Sequence, residues 1–266
     1  MGVNRVRYSG AYDFGMPRGL PPPLALAYHG VDDVPLRRDP DHLFVRPQDL
    51  RRQIEKLREW GYELVTFGEL ASDVRPGRVA LTFDDGLVDN LTALVPILQE
   101  LRAPATVFVV SGWLGQAHPA APWTRIVTDG ELRELRMAGV EIGGHSATHA
   151  DLSELSYEDA LDELSRGKKE LEVLLGEAVE VAAYPYGRTS PDAIRAVRDA
   201  GFRAACSTSA RGSWDDPFFL PRQDMDNRGG LLGLRLKRDD RYESLMRHAP
   251  ARAARRVGRH VAAALK

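Results

Sequence analysis

Val79-Ala80-Leu81-Thr82-Phe83 is an unbroken run of apolar and β-branched residues, and Asp84-Asp85-Gly86 ends it with two carboxylates and a glycine. The run reads as a buried strand that gives way to a turn. In α/β folds the ends of such strands are where active sites are built. Adjacent side chains at a strand end need not share one direction, so one aspartate can hold a metal while the other faces water. The same Asp-Asp-Gly also serves as an ordinary turn with Asx hydrogen bonds, and alone it does not separate the two readings.

Outward from this run, short apolar segments alternate with helical ones. Leu24–Tyr28, 105–110, 140–142, 179–183 and 203–207 read as further strands, and 47–60, 89–101, 129–138, 156–175 and 191–200 as helices. Leu50, Ile54 and Leu57 sit at helical spacing, with Pro47 in the first turn and Gly61 as the stop. This alternation predicts βα units around a mostly parallel sheet: an α/β domain of wound or barrel type. Residues 111–128, with Trp113, Pro119, Pro122 and Trp123, read as an elaborated loop that could shape a cleft.

The chain has 266 residues, within the range of a single barrel-type domain, which we expect over 1–266. Residues 1–23 form an N-terminal extension without an uninterrupted apolar run, so neither a signal peptide nor a membrane span is expected there. With one cysteine, Cys206, no internal disulfide is available, and the expected location is cytoplasmic. The net charge is −2, but 235–266 hold ten Lys/Arg against three Asp/Glu, a surplus of seven that leaves −9 for the rest. The end of this stretch, 239–266, reads as a basic helical segment. Near-neutral overall charge and the lack of interleaved aromatics in that segment argue against a nucleic-acid partner, and the lack of bulky aromatics for insertion argues against membrane association.

A second stretch, Glu141-Ile142-Gly143-Gly144-His145-Ser146-Ala147-Thr148-His149, again leaves a strand and places two imidazoles four residues apart. One helical turn would bring them to one side. Two histidines and a carboxylate make a three-ligand face that leaves positions open for water and a substrate oxygen. With seven histidines in the chain, such a pair alone is also compatible with a structural or surface role.

Together, Thr82-Phe83-Asp84-Asp85-Gly86 and His145-Ser146-Ala147-Thr148-His149 resemble the polysaccharide deacetylase family, carbohydrate esterases that share a NodB-like domain. Tyr184-Pro185-Tyr186-Gly187 matches the Pro-aromatic part of that family's third motif, and the resemblance spans 24–222. It implies a distorted (β/α) barrel of about seven strands and hydrolysis of the acetamido group of an N-acetylated saccharide. It also implies Asp84 as general base and Asp85, His145 and His149 as ligands of a divalent metal. Zinc is the default, with cobalt, nickel, iron or manganese also suited. By the same resemblance Pro185 and Tyr186 contact substrate, the Tyr186 N–H facing the oxyanion.

Two family features are missing. The motif arginine falls at Ala183, and no late Leu-x-His is visible to protonate the leaving amine. Arg222, in Leu220-Pro221-Arg222 after a late strand, is the candidate to hold Asp84 ionised, and His29, at the end of the first strand, is the candidate acid. A solvated loop arginine and a structural histidine are the competing roles. Trp113 and Trp123 could stack on sugars or simply pack, and His42, His118, His248 and His260 are assigned no chemistry. Alternatives to a sugar deacetylase are a hydrolase of a non-sugar amide or cyclic imide, and a non-catalytic carbohydrate-binding protein on the same fold.

Overall fold

The computed structural model describes residues 19–208, 212–225 and 230–239. The extension up to residue 18 and the basic segment from 240 onward, with His248 and His260, lie outside them. No helix among the described residues is long and apolar enough to cross a membrane.

Seven strands close into a parallel barrel: β1 (Leu24–Tyr28), β2 (Arg78–Phe83), β3 (Thr106–Val109), β4 (Glu141–Gly144), β5 (Val181–Ala183), β6 (Ala204–Thr208) and β7 (Leu220–Asp224). Each pairs with the next in chain order, and β7 returns to β1 with Leu26 opposite Gln223. The distortion has a visible source at β2. One of its edges carries β1 over its length, whereas the other is divided between a short strand, Glu63–Val65, opposite Arg78–Ala80, and β3 opposite Thr82 and Phe83.

Strand alternation sorts the residues into two cores. Inside the barrel lie Ala25, Ala80, Phe108, Val181, Ala183, Ala204, Cys206 and Leu220, closed off by Phe67 and Leu70 of a short helix, Phe67–Ser72. Outside, Leu24, Leu26, Leu81, Phe83 and Val107 pack under the helices. Half of these inward strand residues are alanines, leaving room for one large ring, Phe108. Gly143 makes that room, since a Cβ there would stand 2.4 Å from the ring. The small lining also accommodates Arg222, which lies along Phe108 at 5.2 Å.

Helices α1 (Pro47–Glu59), α2 (Val95–Leu101), α3 (Asp129–Met137), α4 (Tyr157–Leu175) and α5 (Pro191–Asp199) form the outer layer. The expected helix over 89–101 begins as a π turn, Asn90–Leu94, just before Pro96, which cannot donate a backbone hydrogen bond. Residues 111–128 are more ordered than a plain loop: a 3-10 turn, Ser111–Trp113, leads into an antiparallel hairpin, Ala117–His118 and Ala121–Arg125.

α4 packs directly on the chain that follows β4. Gly167 sits mid-helix, where an added Cβ would lie 2.8 Å from both the Ala147 nitrogen and the Ser146 carbonyl carbon. Gly167→Ala should therefore lower the melting temperature, although in an open helix interior the same change stabilises by about 1 kcal/mol. A raised melting temperature in a thermal scan would show that this contact does not constrain the loop.

Candidate active site

At the mouth of the barrel, where the strands end, Asp84 continues the inward series Ala80, Thr82, Asp84. Its two oxygens accept a bidentate pair from Arg222, Nη1 to Oδ1 at 2.7 Å and Nη2 to Oδ2 at 2.8 Å. Arg222 Nη1 also donates to Thr82 Oγ1, whose hydroxyl donates to the Leu26 carbonyl. Arg222 is fully buried and Asp84 nearly so. Burial alone would raise the Asp84 pKa; the guanidinium overrides it and holds the carboxyl below the usual range. Arg222 lies within β7 rather than beyond a strand, because ring closure needs a strand between β6 and β1.

Asp85 would point away from Asp84 if the chain stayed extended. Instead it adopts φ 74°, a left-handed conformation, which turns its carboxylate toward the histidine loop. Asp85 Oδ1 lies 3.7 Å from His145 Nε2 and 3.5 Å from His149 Nε2. His145 and His149 meet without a helical turn: 145–150 is an irregular loop in which Ser146 (φ 59°) and His149 (φ 62°) are left-handed. The loop is fastened from α4 and from the 3-10 turn. Thr148 N–H and its hydroxyl donate to Glu163, Ala147 N–H donates to the Glu163 carbonyl, and Gly112 N–H donates to the Ala147 carbonyl.

The donor set fits a divalent cation. Asp85 Oδ1 is buried with no hydrogen-bond partner, and one ligand atom each from Asp85, His145 and His149 lies within 4.8 Å of the others. Separations of 3.5 and 3.7 Å are too long for hydrogen bonds but close to the edge of about 3.4 Å between ligands held about 2.1 Å from a tetrahedral ion. His145 Nδ1 is 2.8 Å from the Ala183 carbonyl, so this nitrogen carries the proton and Nε2 keeps its lone pair. Burial, reinforced by His145, pushes His149 down to about 4, leaving it neutral near pH 7.

The other candidate residues border this centre. His29 follows β1 and lies within electrostatic reach of Asp84, Asp85 and His149. Pro185 is buried at the head of a 3-10 turn, and Tyr186, at φ 58° and 60% exposed, sets its ring 4.5 Å from that of His149. The Trp113 ring lies 4.9 Å from that of His149, whereas Trp123 packs on Phe44.

His118, assigned no chemistry from the sequence, is buried with Nε2 3.0 Å from Asp85 Oδ2. No spacing to a partner marks it; the one signal is its place in the insertion that follows β3 at the mouth end of the barrel. Asp89 and Asn90 were also missed as anchors of the β1 end: Asp89 Oδ2 accepts from Val31 N–H at 2.5 Å, and Asn90 Nδ2 donates to the His29 carbonyl at 3.0 Å.

Residues 71–205, just over half of the chain, match the family described as polysaccharide deacetylase. The chain belongs to that family. Among relatives, Bacillus subtilis YxkH is 24% identical over 189 residues, covering 69% of this chain and 63% of that protein. The poly-beta-1,6-N-acetyl-D-glucosamine N-deacetylase of Escherichia coli is 35% identical over 97 residues, 34% of this chain and 14% of that enzyme. The chain thus spans less than two thirds of either relative. Its barrel is similar to that of the Streptococcus pyogenes deacetylase PplD in complex with acetate, with TM-score 0.70, 22% identity, and coverage of 81% of this chain and 97% of that one. A polysaccharide deacetylase from Bacillus cereus gives TM-score 0.68 at 22% identity, covering 82% and 69%. At these identities the two structures establish the polysaccharide deacetylase barrel and no more.

Burial raises the Asp89 carboxyl to about 6. A raised carboxyl binds its proton more tightly in the folded protein, so its contribution is fully present below the unfolded value of about 3.9 and is lost as pH rises through about 6. Asp89→Asn keeps an acceptor for Val31 N–H. In the metal-free protein its stability relative to wild type should improve by about 2 kcal/mol between pH 4.5 and pH 7.5. A difference that does not change with pH, measured by urea denaturation, would mean that Asp89 is not held protonated by burial.

Proposed function

We propose that the chain hydrolyses the acetamido group of an N-acetylated saccharide, releasing acetate and leaving a free amine on the sugar. The observation that carries this reading is the meeting of Asp85 Oδ1, His145 Nε2 and His149 Nε2 beside an Asp84 carboxylate held by a buried guanidinium. Relatives named as a chitooligosaccharide deacetylase and a poly-beta-1,6-N-acetyl-D-glucosamine N-deacetylase support the substrate class. Within it, a glycoconjugate, a saccharide precursor or an oligo- or polysaccharide is the substrate we propose.

Asp85, His145 and His149 would hold the divalent ion; zinc suits this donor set, as do cobalt, nickel, iron or manganese. When bound, such an ion supplies Lewis-acid polarisation of the acetyl carbonyl and of a water molecule. Asp84 is the base. Arg222 keeps it ionised and oriented, and its carboxylate takes a proton from water as the oxygen attacks the acetyl carbon. The N–H of Tyr186, fixed in a tight turn behind Pro185, faces the oxygen on which negative charge develops. His29 gives a proton to the nitrogen as the C–N bond breaks, so that amine rather than amide anion departs. The exposed Tyr186 ring offers an apolar face to a sugar.

The test is acetate release from a panel of N-acetylated oligosaccharides and glycoconjugates by metal-reconstituted protein. Asp84→Asn should lower kcat by about 10²–10⁴-fold while metal still binds. A protein that binds the sugars without metal and without turnover would replace this reading with that of a carbohydrate-binding protein. Arg222→Ala strands a buried carboxylate and should cost about 3–5 kcal/mol of stability in urea denaturation. Unchanged stability would show that the ion pair does not hold the barrel mouth together.

A further inference from the structure

His118 is not among the three side chains whose ligand atoms converge, yet it is only 4% exposed and touches one of them. Its two ring nitrogens have different partners. Nδ1 accepts a hydrogen bond from Ala121 N–H at 3.0 Å, which places its lone pair there and the ring proton on Nε2. Nε2 therefore donates to Asp85 Oδ2 at 3.0 Å. With Oδ2 engaged, the oxygen left without a hydrogen bond is Oδ1, the one facing His145 and His149.

The hairpin that carries His118 is fastened to the turn that carries Asp85. Val127 N–H donates to the Gly86 carbonyl, Val88 N–H donates to the Arg125 carbonyl, and Leu87 forms an isolated bridge with Ile126. Trp113 packs near-perpendicular to the imidazole with ring centroids 5.7 Å apart. The insertion after β3 thus fixes a hydrogen-bond donor relative to Asp85 through the backbone on both sides of the pair.

We propose that His118 is a positioning residue: it holds Asp85 as a single-oxygen ligand by engaging Oδ2 and presenting Oδ1 to the ion. This inference rests on the metal site proposed above and goes beyond it by assigning a residue outside the ligand set. An aspartate free to rotate at a left-handed turn can bind through either oxygen or both; a donor at Oδ2 removes those alternatives and steadies the charge on the carboxylate.

Three variants separate this role from simple packing. His118→Asn retains an acceptor near the Nδ1 position for Ala121 N–H but is too short to donate to Asp85. His118→Gln extends an amide N–H to about the Nε2 position. Asp85→Ala tests the metal site itself. Zinc affinity is measured by competition with a chromophoric chelator, and the ligand field by the visible spectrum of the cobalt-loaded protein. The expected result is a 10- to 100-fold weaker affinity and an altered cobalt spectrum for His118→Asn, with the metal-free melting temperature little changed, and recovery of both readouts in His118→Gln. Wild-type affinity and spectrum in His118→Asn would overturn the proposal, as would a His118→Gln variant no better than His118→Asn. If Asp85→Ala binds zinc as tightly as wild type, the metal-site reading itself fails, independently of His118.

Discussion

A guanidinium buried in the middle of a barrel is the constraint from which the arrangement of the site follows. Arg222 is fully buried, and burying a lone cation would cost several kcal/mol unless it is paired and hydrogen-bonded. Asp84 supplies the pair through both oxygens, and Thr82 occupies a further donor. Those contacts in turn require β7 to lie beside β1, because Arg222 reaches across the interior to the end of β2. Once Asp84 is committed to Arg222, the neighbouring Asp85 is the carboxylate free to face the histidines. The division between a base and a metal ligand thus begins as a packing requirement.

The second aspartate reaches its place through backbone conformation rather than side-chain reach. Among the described residues, six non-glycine positions have positive φ, and four of them, Asp85, Ser146, His149 and Tyr186, stand around one centre. Each left-handed non-glycine residue costs free energy of order 1 kcal/mol or more, so the surroundings must hold it in place. Here the holding groups are visible: Glu163 and Gly167 of α4 against the histidine loop, the 3-10 turn through Gly112, and the hairpin bonded to Gly86 and Val88. The outer helices therefore contribute to the site by fixing loops that would otherwise relax.

Much of this was legible in the sequence, and the exceptions have physical causes. Strands and helices announce themselves because apolar residues recur with the periods of the two backbones, so Leu24–Tyr28 and the helix up to Leu175 were placed nearly as observed. The four residues Asp84, Asp85, His145 and His149 were visible as two motifs after strands. How the histidines meet was not: a spacing of four suggests a helical turn, whereas left-handed Ser146 and His149 carry no glycine to mark them. Pro221 disguised β7, since a proline argues against a strand interior, and so Arg222 was placed after a strand rather than within one. His118 was hidden by its setting among prolines in an irregular insertion, where the contact that matters spans 33 residues.

The claim at the centre is that one ion is shared by Asp85 and two imidazoles while Asp84 stays outside its coordination shell, held by Arg222. Anomalous diffraction from a zinc-loaded crystal tests this directly. The expected result is a single strong peak at bonding distance from Asp85 Oδ1, His145 Nε2 and His149 Nε2, with the Asp84–Arg222 pair intact. An ion bound through both aspartates, or one that leaves either imidazole unligated, would contradict it.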